Sequence, residues 1–462
     1  MKISGPVINK EYINQYLAAL TGCITILCTG MQYGWAAPSL PQLLSKDSHI
    51  PTTSSDGAWV AAMSVLGNIP GSLIGGYIVD KIGRKYTILL TSPIYFTTWL
   101  IIAFARSLWV LNAGRLCAGM ADGLIFTAFP MYMGEISHPN IRGLLGSFIQ
   151  VSMVLGSLLI NIVGSHFNIE HTALIMSIVP VLHFVTFCWM PESPYFLLMT
   201  DQGELARKSL QKLHNTEDVT KELIRVEDAV SKGKNANGKF WHLFTVPSNR
   251  KAMYIVFGLR CIQQLCGITA IMFYVKIIFK EAKTDISATM STIIYFTIQL
   301  VLSIVSSALV DKAGRKPLLL MSIIGSAIML ALEGIYFYVE KETTLDTSSV
   351  TYLPLIAMLG FCIAFNFGMG TIPTLFLGEF FPTDVKAFAL CLIDIFACFL
   401  AALTSKCFQF MNDHFGLYSP FFFFTSCCIL GLVFILLIVP ETKGKTLEDI
   451  QRELKGERND VA

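Results

Sequence analysis

Apolar runs of about twenty residues follow one another along most of this chain, and twice the gap between two runs shrinks to a knot of charge. The first knot is Asp80-Lys81-Ile82-Gly83-Arg84-Lys85 and the second is Asp311-Lys312-Ala313-Gly314-Arg315-Lys316. A helix needs roughly 20 apolar residues to cross a bilayer core, so each run predicts one membrane span. Gly83 or Gly314 supplies the backbone freedom for a very short turn. The cations hold that turn in the cytoplasm, and the acid can cap or salt-bridge a helix end. One such turn is simply a loop; two in matching contexts point to a duplicated transporter.

Composition supports the same class. Charged residues make up 14% of the 462, against about 25% in an average soluble protein, and mean hydropathy is +0.59. The lipid bilayer is therefore a partner. The net charge of +2, without a basic-aromatic stripe, makes no case for nucleic acid. The 12 cysteines fall in or beside apolar runs with no CxxC pair and no His cluster, which reads as small core residues rather than disulfides or metal ligands. With no nucleophile elbow and no phosphate-binding loop either, no metal, cofactor or enzyme chemistry is expected. The first apolar run lacks an A-x-A-like cleavage site and reads as a retained helix.

The expected architecture is an all-α membrane protein with twelve transmembrane helices in two pseudo-symmetric six-helix halves. Helices are predicted near 15–38, 58–79, 87–106, 109–134, 144–166 and 172–190, then near 253–280, 288–310, 317–339, 351–378, 386–410 and 418–439. Residues 1–190 form the first half, 191–252 a cytoplasmic linker, 253–439 the second half and 440–462 a tail. Both charged turns and the 207–251 region are rich in Lys and Arg, whereas the alternate loops carry little beyond Lys46 and Arg106. The positive-inside rule then puts both termini and the linker in the cytoplasm. Within the linker, Leu205, Ala206, Leu210 and Leu213, and then Val219, Leu223 and Val226, recur at helical spacing, followed by a flexible Gly233–Gly238 segment. The halves match in order: Asp80 with Asp311 at an offset of 231, Glu135 with Glu379 at 244, and Pro191-Glu192-Ser193 with Pro440-Glu441-Thr442 at 249. Slowly growing offsets are what unequal loops in two copies of one unit produce.

These residues carry a resemblance. Gly76-Tyr77-Ile78-Val79-Asp80 through Lys85, Pro191-Glu192-Ser193-Pro194, Gln263-Gln264-Leu265-Cys266-Gly267-Ile268, Pro382 after Glu379, and Pro440-Glu441-Thr442-Lys443-Gly444 resemble the sugar-porter family of the major facilitator superfamily. The likeness spans the whole chain, and 33–41 is similar more narrowly to insect facilitated trehalose transporters. It implies the major facilitator fold and a small-molecule sugar as partner, with a monomer sufficient. It also implies a conformational latch of Asp80, Arg84, Lys85, Glu135, Arg142, Glu192, Asp311, Arg315, Glu379, Lys386 and Glu441, pairing across the junction of the halves and breaking on inward opening. Ser307 and Lys386 depart from the family's Gly and Arg, and Tyr195 from its Arg, so the second half of the latch is expected to be looser.

Polar residues inside spans are costly and usually face the bundle interior. Gln150 lies in predicted helix 5, Gln263 and Gln264 in helix 7 and Gln299 in helix 8; amides suit sugar hydroxyls because each offers donors and acceptors. The resemblance places these four in the sugar site, with Thr269 at a usual Asn and Phe273 and Tyr274 at aromatic gating positions. Gly368, Gly370, Pro373 and Gly378 make predicted helix 10 breakable. Thr374 stands for the family's Trp, and Ala397-Cys398 for its Asn-Trp, and the larger, less aromatic pocket this implies would suit a disaccharide or a non-sugar polyol. Ala36 replaces the helix 1 Asp of proton-coupled members, leaving Asp394 in helix 11 and Glu333 in helix 9, near the outer interface, as acids to weigh. Lys406 is too far from Asp394 to pair. Facilitated diffusion of trehalose or a hexose such as glucose at the plasma membrane is expected, ahead of proton symport. A non-transporting sensor would carry a longer extension than the tail after Glu441.

Overall fold

The computed structural model describes residues 12–138, 141–235, 240–282, 284–345, 350–381, 383–443, 450, 452 and 454; side chains at 232–235, 306–313, 377–379, 383, 384 and 387 also lie outside the description. The first half runs through α1 (Ile13–Gly34), α2 (Ala36–Leu43), α3 (Ser54–Ile82), α4 (Arg84–Ala103), α5 (Leu108–Ile136), α6 (Arg142–His166), α7 (Ile169–Met176) and α8 (Ile178–Phe187). Four short helices follow: α9 (Pro194–Met199), α10 (Gly203–His214), α11 (Thr220–Asn235) and α12 (His242–Thr245). The second half holds α13 (Pro247–Leu265), α14 (Ile268–Glu281), α15 (Ala288–Ala313), α16 (Arg315–Glu342), α17 (Leu353–Phe367), α18 (Ile372–Phe380), α19 (Thr383–Phe415) and α20 (Tyr418–Ile438). Among the described residues, twelve helical stretches are long and apolar enough to cross a membrane, counting α1–α2, α7–α8, α13–α14 and α17–α18 as one each. The all-α, twelve-span expectation holds, with several helices extending beyond their predicted ends.

Local chemistry explains the boundaries. Thr53 Oγ1 accepts from the Asp56 N–H at 3.2 Å while Asp56 accepts from the Thr53 N–H at 3.1 Å, a capping box that starts α3 four residues before its apolar run. Gly83 and Gly314 close the paired charged turns with φ of +96° and +92°, a left-handed region that costs other residues about 1–2 kcal/mol. The duplication is thus exact enough to repeat a backbone conformation. In the linker, Ala206, Leu210, Leu213, Val219 and Val226 are buried as their spacing predicts, whereas Leu205 is exposed. Residues 236–239 of the expected flexible segment lie outside the described residues.

Hydrocarbon supplies no hydrophobic drive between spans, so close packing does. Gly67 and Gly71 of α3 meet Gly119 and Gly123 of α5 backbone to backbone; a Cβ at any of the four would strike main-chain atoms of the opposing helix. Among the described residues, the two halves share a core at one end. The second-half core runs into Ala36, Ala37, Leu40, Ala61, Val65 and Leu158 of the first. Beneath the first charged turn, by contrast, Val79, Ile88, Ile136 and Leu145 belong to a separate cluster drawn, among the described residues, from the first half and Leu213 of the linker. The bundle is joined at the end opposite the charged turns.

Candidate functional site: a polar interior between two broken helices

Two spans of the second half are interrupted near mid-depth. Gly267 breaks the α13–α14 span with φ +83°, and residues 368–371 break the α17–α18 span. The breaks are tied together, because Gln263 donates from Nε2 to the Met369 carbonyl at 2.6 Å. Its Oε1 accepts from Arg260 Nη1 at 2.8 Å, so both ends of this amide are engaged by protein. Each end keeps one further hydrogen-bonding position, since the amide has two donors and two acceptor lone pairs. Gln264, half-buried, accepts from Thr269 Oγ1 at 2.8 Å, and among the described residues its NH2 group has no protein acceptor.

The other expected residues take varied places. Gln150 is exposed on α6, and the exposed apolar residues of that helix, Leu144 and Ile162, lie roughly 120° around from it at 3.6 residues per turn. Gln150 therefore faces the interior. Gln299 is buried, with its Oε1 unpartnered among the described residues. Phe273 and Tyr274 are fully buried past the α13–α14 break, with Tyr274 stacked on Phe408 at 4.9 Å. Thr374 is exposed on α18.

An ion pair escaped the reading of the sequence. Arg260 Nη2 of α13 lies 3.2 Å from Asp394 Oδ1 of α19. A charge at the centre of a span costs about 2.5–3.5 kcal/mol, so the two defray each other's burial. The signal was available, since Arg260 lies within predicted helix 7. Tyr33 of α1 and Cys398 of α19 stand close enough to Asp394 to share its electrostatic field. Residues of both halves therefore meet in this interior.

The two charged turns are built alike. Glu192 accepts from the Lys85 backbone N–H at 3.1 Å, and Glu441 from those of Arg315 and Lys316 at 3.1 and 2.9 Å. Each carboxylate thereby caps the first turn of the helix after its glycine, where unpaired N–H groups and the helix dipole favour an anion. Arg84, 2% exposed, holds Glu135 through Nε and Nη2 at 3.0–3.1 Å and Asp80 at 3.2 Å, and Ser193 also donates to Glu135. Among the described residues the partners of Arg84, Glu135 and Glu192 belong to the first half or the linker helices that follow it, the arrangement expected of the latch when the cytoplasmic side is open. Arg142 is exposed and donates to the Ser137 carbonyl at 3.3 Å, and Lys386 is half-buried on α19. The Asp311 and Glu379 side chains, and Pro382, lie outside the described residues. Burial raises the Glu192 carboxyl above its ordinary value, against the backbone donors of Ser193 and Lys85. Burial also works against ionised Glu441, but there the N–H groups of Lys443, Arg315, Lys316 and Thr442 prevail and hold it below its ordinary value.

The profile of the family described as "Sugar (and other) transporter" matches residues 18–454. The chain belongs to the sugar transporter family. It is 32% identical over 460 residues to the facilitated trehalose transporter Tret1 of Polypedilum vanderplanki, covering 99% of this chain and 91% of that one. Proteins of the same name from Drosophila mojavensis and Anopheles gambiae are 32% and 31% identical, each over 99% of this chain, which spans 53% and 58% of their length. The fold is that of the xylose transporter XylE. The TM-score is 0.74 to the proton:xylose symporter bound to 6-bromo-6-deoxy-D-glucose, at 24% identity over 96% of this chain and 100% of that one. It is 0.77 to a partially occluded inward-open conformation of the E. coli protein, at 23% identity over 94% and 99%.

The transporter's first half holds a second polar cluster that the sequence reading passed over. Arg115 of α5, with no exposed surface, donates to the Gln32 carbonyl and Oε1 at 2.9 Å and to Ser64 Oγ at 2.8 Å. About two turns further on, Asp122 is equally buried and accepts from Tyr95 at 2.6 Å. Both lie within the predicted span 109–134, where any charge deserves a role. Glu333, expected near an interface, is instead 1% exposed, and neither of its oxygens has a partner among the described residues.

Lys406 closes the transporter's joined end. It donates to the Ser55 carbonyl at 3.1 Å and lies 4.5 Å from the Trp59 ring centroid, linking α19 to α3. Lys406→Met is expected to weaken that closure by about 1–2 kcal/mol. Spin labels at Asp47→Cys and Asp285→Cys report the spacing of this end, and an unchanged distance distribution would show that Lys406 does not hold it shut.

Proposed function

We propose that this transporter carries a sugar, trehalose or a hexose such as glucose, across the plasma membrane by facilitated diffusion and alternating access. The observation that carries the reading is the pairing of two broken helices with amide edges left open to the interior at Gln150 and Gln264. Neutral amides meet hydroxyl groups on both their donor and acceptor sides, and broken helices beside a midplane site are the gating elements of such carriers. The naming of relatives as facilitated trehalose transporters supports the disaccharide. Gln150, Gln264 and Thr269 are read as direct sugar contacts, with Gln299 and Thr374 beside them, Phe273 and Tyr274 as the outer lid, and Gln263 holding the hinge. The cation-rich turns favour cytoplasmic termini and linker, so the joined end faces outward and the conformation is inward-facing. The same charged clusters, Glu135, Arg84, Glu192, Arg315, Glu379, Lys386 and Glu441 among them, would re-pair across the halves as the latch once the cytoplasmic side closes. A monomer suffices for this cycle.

One observation favours proton symport as the second reading: Asp122 lies wholly buried in α5 against Tyr95. Uptake of labelled trehalose and glucose at two external pH values, in cells lacking their own carriers, separates the two. The expected result is saturable uptake indifferent to pH. Gln264→Ala should cut uptake at low sugar about tenfold, the effect of one hydrogen bond of about 1–1.5 kcal/mol. Uptake that climbs as external pH falls would favour symport, and a surface-expressed wild type that moves neither sugar would sink the sugar reading.

A further inference from the structure

Resting on the sugar-carrier reading, we propose that Asp394 binds the substrate directly. Its second carboxylate oxygen accepts hydrogen bonds from adjacent hydroxyls of the sugar, and Arg260 holds the first and aims the group. The ion pair is half used. Oδ1 takes the Arg260 guanidinium at 3.2 Å, and among the described residues Oδ2 has no protein partner. A purely structural pair in this setting would be sealed on both sides, yet the Asp394 side chain is 40% accessible.

That accessible surface does not face lipid. The exposed large apolar residues of α19 are Phe388, Phe399, Leu403 and Phe410. At 3.6 residues per turn all four lie roughly 120–180° around the helix from Asp394. Tyr33, from the opposite half, shares its electrostatic field with Asp394 and with Cys398 one turn along. Asp394 therefore opens into the interior between the halves, on the side where the aromatic residue expected at 398 is a small thiol.

The chemistry fits a polyol. A carboxylate oxygen has two lone-pair directions, and hydrogen bonds to an ionised acceptor are about twice as strong as neutral ones. Two neighbouring hydroxyls of one sugar ring can donate to one carboxylate. Arg260 supplies the compensating charge and, through Gln263, reaches the Met369 carbonyl in the α17–α18 break. Occupancy at Asp394 would thus bear on the hinge of the second half.

The test uses the full chain in proteoliposomes, with uptake of labelled trehalose and glucose and competition by the monodeoxy glucose series. In the wild type, one or two adjacent deoxy positions should weaken competition about tenfold. In Asp394→Asn the parent sugar should weaken by a similar factor, while those same deoxy sugars compete no worse than the parent. Asp394→Glu, which keeps the charge and the Arg260 partner, should restore the wild-type pattern, and it serves equally if the Asn variant does not fold. A deoxy profile that is the same in the wild type and in Asp394→Asn would overturn the assignment and leave Asp394 as a structural partner of Arg260. A wild type that takes up neither sugar would overturn the sugar reading and this inference together, an outcome distinct from the last.

Discussion

Arg115→Met is expected to destabilise the transporter by about 3–5 kcal/mol, the usual cost of breaking a buried charge out of its network. The side chain joins three helices: it reaches Gln32 on α1 and Val60 and Ser64 on α3 from its own place on α5. Its guanidinium also lies 4.7 Å from the centroid of the Trp35 ring. Removing it leaves buried acceptors without donors, each costing about 1–3 kcal/mol, and takes the neighbouring cation away from Asp122. Arg115→Lys should fall in between, since the charge stays and the fork is lost. Adding Asp122→Asn to Arg115→Met should recover part of the loss, because neighbouring charges do not act independently. Thermal unfolding in detergent, followed by tryptophan fluorescence, reads all four proteins. A melting temperature unmoved by Arg115→Met would show that the network carries no stability.

The second large effect is expected at Gly267. Its φ of +83° costs any other residue about 1–2 kcal/mol. A Cβ would also run into the ring of Phe424, which is fully buried and stacked 6.3 Å from Phe408. Overpacking of that kind costs about 1–3 kcal/mol more. Gly267→Ala should therefore lower stability by about 2–5 kcal/mol and slow transport, because the strain falls on the α13–α14 break. Gly203→Ala, at the start of α10 with open space around it, is the matched control and should change neither. Equal melting temperatures and uptake rates for the two variants would remove Gly267 from the gating machinery.

Part of the candidate site was visible as residue types without coordinates. Gln150 and Gln264 stood out as candidates because an amide inside an apolar run is conspicuous in one dimension. Arg260, Arg115 and Asp122 were equally visible as charges within predicted spans, but their meaning depended on partners too far along the chain to guess. Gln263 shows a related limit of reading in one dimension. Its neighbour Gln264 has the same chemistry, and only the approach of Arg260 and the Met369 carbonyl separates a hinge residue from one left open to the cavity. The charged turns showed the opposite balance. Glycine in each knot, and an acid after each Pro, were read correctly as features of a duplicated turn, yet the carboxylates cap a helix within their own half.

The apolar runs, the near absence of charge within them and the repeated glycine turns by themselves determined twelve helices in two like halves. Those are local properties: the cost of leaving an amide unpaired in hydrocarbon, and the φ that only glycine adopts freely, are decided within a few residues. Tertiary structure alone decided which charges meet and which end of the bundle is joined. Asp394 meets Arg260 across 134 positions, and Lys406 meets Ser55 across 351. Coulomb attraction and hydrogen bonding fall off within a few ångströms of space, and distance along the chain does not measure that separation.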